Sequence, residues 1–235
     1  MGIYWAEIAD KNQTEKQIQF LKTYLKLEGY VLDLACGTGR HSIPLITDGY
    51  RIVGLDASRN LLRIAKQRAR EVEVVLGDMR FLPFKTGGFA ATLSIDTSFG
   101  YLPSEADDID SLVEVRRILV SQGIFIIDVF NQKELTLRYK EKNKSSGWRE
   151  YPSFFLLQKR TISDNGSWLC DLWTIRGKVD ERVRFFEHKV RLYGQSKLQD
   201  LLDKAGFEVK QVYGGYKGET FGADSSRLIF FAVAV

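Results

Sequence analysis

One short segment constrains this chain more than any other: a strand-like apolar run that stops at a glycine-rich turn. Residues 30–35 are apolar apart from Asp33, and Cys36-Gly37-Thr38-Gly39 follows before a helical pattern at about residues 40–47. Glycine lets such a turn adopt conformations closed to other residues and lets the backbone approach a ligand closely. A strand, a glycine-rich turn and a helix in this order are typical of sites for adenosine-bearing cofactors.

Strands and helices then alternate along the first 130 residues. Further apolar runs of strand length lie at residues 51–55, 72–76, 89–95 and 123–130. Helix-like spacing of apolar residues covers about residues 7–27, 60–70 and 106–120. Short apolar strands that alternate with helices form βαβ units around a parallel sheet buried on both faces. The sequence therefore predicts a doubly wound α/β fold.

The alternation breaks after residue 150. Strand-like segments follow one another there without a helix between them, at residues 154–162, 168–175 and 183–192. Asp164-Asn165-Gly166-Ser167 is a strong hairpin-turn signal between the first two. Consecutive antiparallel strands cannot belong to βαβ units, so we expect an inserted antiparallel β-meander at 145–192. Residues 1–144 and 193–235 would then form the main domain, which ends in a helix at 196–205 and strands at 207–213 and 227–235.

Carboxylates follow three of the predicted strands. Asp56 ends the second strand, where it can accept hydrogen bonds from both hydroxyls of a ribose. Gly77-Asp78-Met79 follows the third strand, so the carboxylate can accept from an exocyclic adenine amine while a neighbour packs on the ring. Asp96 opens a polar segment after the fourth strand. Because open α/β sheets bind ligands at the carboxyl ends of their strands, these residues predict one shared site.

These motifs resemble the successive cofactor motifs of the class I S-adenosyl-L-methionine (SAM)-dependent methyltransferases. The resembling segments are Asp33-Leu34-Ala35-Cys36-Gly37-Thr38-Gly39-Arg40-His41, Asp56, Gly77-Asp78-Met79-Arg80, residues 96–100 and Ala205-Gly206-Phe207. They span nearly the whole chain except the predicted meander, and Ala35 stands where many members have glycine. The resemblance implies a SAM-binding methyltransferase with a Rossmann-like seven-stranded sheet whose last strand is antiparallel.

The resemblance also implies which residues hold each part of the cofactor. The methionine part would be contacted by Asp33, Gly37 and Gly39. The ribose would be held by Asp56, and the adenine by Asp78 with Met79. The implied cofactor-binding set is completed by Ala35, Thr38, Ala57 and Asp96.

A nicotinamide-dependent dehydrogenase is the main competing interpretation of the glycine-rich turn. The dinucleotide fingerprint G-x-G-x-x-G requires a third glycine, and this chain has Ser42 at that place. The third glycine permits close helix packing beside a pyrophosphate at the helix N-terminus. Because SAM carries no phosphate, its absence favours SAM over a dinucleotide.

No motif fixes the residues on the acceptor side. The acidic-or-Asn, Pro-Pro, aromatic motif of nucleic-acid amine methyltransferases is missing, since Asp96-Thr97-Ser98-Phe99 stands in its place. Direct transfer needs a general base only when the acceptor arrives protonated, and the candidates are His188, Asp96 and Tyr193. His188 could equally be a core histidine with its polar atoms satisfied. No cluster with metal-ligand spacing is present, so we expect no metal site.

Composition bounds the location and the partners. The two cysteines cannot build a disulfide framework, and the terminal apolar run at 229–235 is too short to span a bilayer. No signal-peptide pattern is visible, so we expect a cytoplasmic protein without a membrane partner. The net charge of +4 conceals a basic segment, because residues 131–192 hold 14 Lys and Arg against 8 Asp and Glu.

We expect a small-molecule acceptor, because an inserted β-meander can form a lid over an enclosed pocket. One alternative is an RNA methyltransferase that uses the basic segment 131–192. The other is a non-catalytic binding or scaffold protein with the same fold. The intact cofactor groups argue against a scaffold, which need not keep Asp33, Gly37, Gly39 and Asp56.

Overall fold

The computed structural model describes residues 2–140 and 147–235. Its strands are β1 (Tyr30–Leu34), β2 (Arg51–Asp56), β3 (Glu73–Leu76), β4 (Phe89–Ser94), β5 (Leu119–Phe130), β6 (Arg149–Glu150), β7 (Phe154–Ile162), β8 (Trp168–Gly177), β9 (Val183–Arg191), β10 (Phe207–Tyr213) and β11 (Arg227–Ala234). Its helices are α1 (Gly2–Ile8), α2 (Lys11–Lys22), α3 (Ser42–Thr47), α4 (Arg59–Arg68), α5 (Glu105–Ile118), α6 (Gln132–Lys140) and α7 (Gln195–Lys204). The strands form one sheet of seven and one of four.

The larger sheet has the strand order β10-β11-β5-β4-β1-β2-β3. Strands β1 to β5 pair in parallel, whereas β11 runs antiparallel to both β5 and β10. The order of the strands reverses at β1. Strands β2 and β3 lie on one side of β1, whereas β4, which follows β3 along the chain, lies on its other side. This confirms the predicted doubly wound seven-stranded fold with an antiparallel last strand.

Both faces of the larger sheet are covered by helices. On one face α5 and α7 pack Leu112 and Leu201 against Phe125, Phe230 and other strand residues. The opposite face is covered by α2 and α3, so alternate residues of the same strands are also buried. Burial on both faces explains why β4, β5 and β11 appear in the sequence as continuous apolar runs.

The smaller sheet is antiparallel throughout, in the order β6-β7-β8-β9. The predicted hairpin turn joins β7 to β8, and Gly166 adopts a φ of +71° there, a conformation that glycine reaches without strain. One half of the sheet packs on α1 through Phe154, Trp173 and their neighbours. The other half packs on Leu135 of α6. The antiparallel character predicted for this region is confirmed.

The observed elements differ from the prediction in three places. The helix expected over 7–27 is two helices, because the side chain of Asp10 caps α2 by accepting from the backbone N–H groups of Asn12 and Gln13. Helix α6 was not predicted, and β5 begins earlier than expected. The proposed domain boundary near residue 145 lies outside the described residues. Within the described part of the chain, no helix is long and apolar enough to cross a membrane.

A buried ion pair joins the smaller sheet to the larger one. Arg191 at the end of β9 pairs with Asp108 of α5, whose carboxylate is fully buried. Tyr193 donates its hydroxyl to the same carboxylate at 2.6 Å. The backbone N–H of Arg191 donates to the carbonyl of Gly100 at 2.8 Å, and a Cβ at Gly100 would lie 2.5 Å from the Arg191 carbonyl oxygen. A backbone hydrogen bond and close packing therefore hold the loop after β4 against the end of β9.

Replacement of Asp108 should destabilise the protein strongly. Asp108→Ala leaves the Arg191 guanidinium and the Tyr193 hydroxyl buried without their partner, so we expect a loss of about 3–5 kcal/mol in the free energy of unfolding. Urea unfolding followed by circular dichroism measures it. Glu105→Ala on the same helix breaks the more exposed pair with Lys197 and should cost less than about 1 kcal/mol. Equal losses in the two variants would contradict this account.

Candidate active site

A cavity of about 440 Å³ lies at the carboxyl ends of β1, β2, β3 and β4. The sequence analysis assigned ten residues to cofactor binding, and nine of them line this cavity. The nine are Asp33, Ala35, Gly37, Thr38, Asp56, Ala57, Asp78, Met79 and Asp96. The exception is Gly39. Segments that are far apart in the chain therefore meet at one edge of the sheet, as the order of the strands requires.

The glycine-rich turn supplies the floor of the cavity. Ala35, Gly37 and Gly39 all have positive φ values, of 59°, 57° and 74°. A Cβ built on Gly37 would meet no atom within 4 Å, so this residue opens the backbone to the cavity. A Cβ on Gly39 would instead lie 3.2 Å from the side chain of Ile43 in α3. Gly39 therefore shapes the turn and the helix packing and does not line the cavity.

Asp56 is oriented by two backbone groups. One carboxylate oxygen accepts from the N–H of Gly37 at 2.9 Å, and the other accepts from the N–H of Ser58 at 2.7 Å. A carboxylate has about four acceptor positions, so two remain for the hydroxyls of a ribose. Burial raises the pKa of Asp56, and the two backbone hydrogen bonds oppose that rise. The side chain is therefore held in place before any ligand binds.

Asp33 lies deeper, at the end of β1. It is 2% exposed and accepts a hydrogen bond of 2.5 Å from the hydroxyl of Ser42. Burial raises the pKa of Asp33 to about 6, although the Ser42 hydrogen bond and the charge of Arg40 lower it. A cation bound in the cavity would stabilise the ionised carboxylate.

Asp78 has a partner that the sequence analysis did not identify. Arg80 contacts it at 2.6 Å and also contacts Asp107 of α5 at 2.7 Å. The hydrogen bonds from Arg80 lower the pKa of Asp78, so this carboxylate is ionised at the open side of the cavity. Met79 lines the cavity beside it and packs against the main core.

Two strained residues follow β4 on the cavity wall. Asp96 and Thr97 both have a φ of 61°, a left-handed conformation that costs a residue with a Cβ about 1–2 kcal/mol. Such strain persists only where the surrounding structure imposes it, and it is concentrated at functional sites. The segment 96–97 is therefore held in place by contacts from elsewhere in the fold.

A buried polar cluster, which we call the edge network, supplies these contacts; it consists of Asp96, Thr97, Asp128, Tyr216 and Arg227. The backbone N–H groups of Asp96 and Thr97 donate to the carboxylate and the carbonyl of Asp128, at 2.8 and 2.9 Å. Arg227 donates to Asp128 and to the Thr97 hydroxyl, each at 2.8 Å. Tyr216 donates its hydroxyl to the same carboxylate. The cluster fixes both the conformation and the position of the strained segment.

The charges of the cavity suit a compact cation better than a pyrophosphate. Its lining includes the carboxylates of Asp33, Asp56, Asp78 and Asp96, against the single guanidinium of Arg40. Arg40 is itself paired with Asp96 at 2.7 Å. SAM carries a sulfonium, an ammonium and one carboxylate, so its net charge complements this lining, whereas a dinucleotide would be repelled. The residues present fit SAM.

The three candidates for a general base lie in three different surroundings. Asp96 lines the cavity. His188 lies on β9 of the smaller sheet, with its ring centroid 6.0 Å from that of Tyr101, which lines the cavity. Tyr193 is buried beside Phe99 in the main core, where its hydroxyl donates to Asp108, and it is not among the cavity-lining residues.

Sequence reasoning missed the residues that support the site from a distance. Arg40 directly follows the glycine-rich turn, so the local sequence indicates that it lies near the site, where it pairs with Asp96. No local pattern indicates that Arg227 or Tyr216 reaches Asp128. These contacts arise only from the pairing of β11 with β5 and from the loop that precedes β11.

Comparisons with known proteins find methyltransferases among the similar proteins. Residues 31–123 match a family described as "Methyltransferase domain". The chain is 27% identical over 91% of its length to YqeM of Bacillus subtilis (strain 168), which is named as a candidate methyltransferase, and covers 87% of that protein.

Solved methyltransferase structures share the fold. CcbJ from Streptomyces caelestis superposes with a TM-score of 0.83 at 18% identity, over 97% of this chain and 98% of that one. The sugar N-methyltransferase KedS8 from Streptoalloteichus sp ATCC 53650 superposes with a TM-score of 0.73 at 18% identity, over 99% of this chain and 91% of that one. The fold, the cavity and these matches support a SAM-dependent methyltransferase of class I and argue against the scaffold alternative.

Removal of the Asp56 carboxylate should weaken cofactor binding. We expect Asp56→Ala to cost about 1.5–3 kcal/mol of SAM affinity, because hydrogen bonds to a charged acceptor are lost. Calorimetry with SAM or S-adenosylhomocysteine measures this, and NAD should not compete. Asp110→Ala removes an exposed carboxylate of α5 and should leave the affinity unchanged. If Asp56→Ala also binds SAM normally, Asp56 does not hold the cofactor.

SAM binding should strengthen as the pH rises through about 6. In the free protein the pKa of Asp33 is raised, so the stability that its protonated form gives to the folded state is present below its ordinary pKa of 3.8 and is lost as the pH rises from there through about 6. A bound cation favours the ionised form, so binding releases a proton in this interval. Calorimetry across this pH range should show the slope, and Asp33→Asn should flatten it. An equal slope in that variant would exclude Asp33 as the titrating group.

Proposed function

We propose that this enzyme methylates a small molecule in a cavity enclosed between the cofactor edge and the smaller sheet. The observation that carries this proposal is the wall that bulky apolar side chains form in the cavity. Trp5 of α1 lines the cavity, as do Tyr101 and Leu102 of the loop after β4. Bulky apolar side chains in the lining of a cavity of this size favour a small acceptor over a macromolecule.

The smaller sheet supports this wall from behind. The ring of Trp5 lies 5.1 Å from that of Trp173, and Tyr4 packs edge-on against Phe154 at 4.8 Å. Glu7 accepts from the backbone N–H of Ser153 at 3.0 Å. On this basis we propose that the segment 145–192 acts as the acceptor-side lid of a main domain built from residues 1–144 and 193–235.

The charge distribution also favours a small acceptor over RNA. Many basic side chains of the segment 131–192 make ion pairs within the protein and do not form an unpaired surface for phosphates. The pairs are Arg138–Glu134, Arg160–Asp171, Arg176–Glu181, Lys178–Glu150, Arg184–Asp180, Lys189–Glu187 and Arg191–Asp108. RNA binding draws on unpaired cations that release counterions from phosphates.

The residues of the site would act mainly by positioning. Bound SAM supplies a methyl group on a positively charged sulfur, which is already a good leaving group. The edge network holds Asp96 and Thr97 at the cavity wall, and Trp5 with Leu102 excludes water from it. His188 is a candidate proton acceptor, since burial lowers its pKa and keeps the imidazole neutral near pH 7, even though Asp171 opposes that shift.

A turnover screen tests the acceptor class. We expect release of S-adenosylhomocysteine with members of a small-molecule library, at a rate that changes little between about 50 and 200 mM salt. Transfer to RNA would instead fall steeply over that range, because phosphate contacts release counterions. Labelled SAM with each acceptor set gives both readouts. Methylation of RNA alone, with that salt dependence, would overturn the small-molecule proposal.

A further inference from the structure

One row across the smaller sheet is polar, although it lies between the apolar residues of the same face that pack on α1 and on α6. Arg160, Asp171 and His188 are direct register partners on β7, β8 and β9, so they form a row across the sheet. Trp173 lies two residues beyond Asp171 and therefore on the same face, opposite Gln158. The side chain of Asp171 is 1% exposed, so this is a buried polar surface.

Asp171 uses only half of its carboxylate within the protein. One oxygen accepts from Gln158 at 2.6 Å and from Arg160 at 2.8 Å. The other oxygen is buried without a hydrogen-bond partner among the described residues. The same holds for the indole N–H of Trp173 and for Nδ1 of His188. Three unpaired polar atoms on one buried face are unusual, since native structures satisfy nearly all such groups.

This face adjoins the cofactor cavity through two aromatic rings. The Tyr101 ring lies 6.0 Å from that of His188 and tilted 31° to it, and the Trp5 ring lies 5.1 Å from that of Trp173. Both Tyr101 and Trp5 also line the cavity. Burial together with the charges of Asp171 and Asp96 raises the pKa of Tyr101 to about 12.

The unpaired atoms define what kind of group could satisfy them. The free oxygen of Asp171 can only accept a hydrogen bond, and the Trp173 indole can only donate one. A neutral imidazole nitrogen at His188 can accept or donate according to its tautomer. An anionic group would be repelled by Asp171, whereas a positively charged or N–H-rich group gains hydrogen bonds and is favoured by the surrounding aromatic rings.

We propose that Asp171, Trp173 and His188 form the acceptor-binding subsite and that it takes an amino group of the small-molecule acceptor. This inference rests on the proposed function and makes it more specific, because it names the chemical class of the acceptor. The amino group donates to the free oxygen of Asp171 and to His188, and an adjacent oxygen of the acceptor accepts from the indole N–H of Trp173. Asp171 is already held by Arg160 and Gln158, so the site is organised before the acceptor arrives.

Matched acceptors test the chemical class. The probes are pairs that differ only in an amine or a hydroxyl, such as ethanolamine with ethylene glycol and glucosamine with glucose, within a wider panel built in the same way. We expect S-adenosylhomocysteine release with amine members and not with their hydroxyl partners. Turnover of hydroxyl members alone would overturn the amine inference and leave the small-molecule proposal standing. Turnover of RNA alone would overturn both, and a panel without any amine turnover would overturn the inference.

Substitutions test the subsite itself. Asp171→Asn keeps the shape of the side chain and removes its charge, whereas Trp173→Phe keeps an aromatic ring and removes the N–H donor, so circular dichroism must show that each variant is folded. We expect at least a tenfold rise in KM for the amine acceptor in each, with the Kd of SAM unchanged. Glu187→Gln neutralises an exposed carboxylate on the opposite face of β9 and should change neither value. A KM unchanged in folded Asp171→Asn and Trp173→Phe would show that these residues are structural only and overturn the subsite.

Discussion

The buried pair between Asp128 and Arg227 is the interaction on which the cofactor edge depends. Both side chains are less than 10% exposed, and they lie on β5 and β11, adjacent antiparallel strands toward one side of the larger sheet. Because the pair is buried away from water, its charges depend on hydrogen bonds within the protein. The two side chains bond to each other and to Thr97, Tyr216 and the backbone N–H of Asp96. The left-handed conformation of Asp96 and Thr97 is stabilised because their backbone N–H groups donate to Asp128 of this pair. The fold thus retains a strained backbone at one corner of the cavity.

The sequence predicted most of the fold because its strands are buried on both faces. A strand such as β11 must then be apolar at nearly every position, and such runs stand out between polar helices and glycine turns. Helix α6 escaped prediction for the opposite reason, since among residues 132–139, whose burial the structure describes, Leu135 alone is buried, and the helix is largely polar. Its packing partners, Leu169 and Val190, belong to the smaller sheet and lie beyond any local window.

The cavity lining was more predictable than the polar row of the smaller sheet. Asp33, Gly37 and Asp56 each belong to a short motif at a strand end, so local sequence indicates that they meet at one edge of the sheet, while their roles toward the cofactor stay predictions. Asp171 lies in the middle of a strand, and its row with Arg160 and His188 exists only once the register of three strands is fixed. Alternation predicts which face a strand residue shares, but not which cavity that face adjoins.

The topology explains why the two halves of the site can be separate in sequence and adjacent in space. Strands β4 and β5 are parallel, so the chain leaves both at the edge where the cofactor residues lie. The segment after β5 therefore starts at that edge. The hydrogen bond from the Arg191 N–H to the Gly100 carbonyl holds its other end near the same edge. Most of the cavity lining comes from residues 33–102, whereas the buried polar row comes from residues 158–188. Substitutions in that row can therefore test the proposed acceptor subsite while the residues that line the cavity stay unchanged.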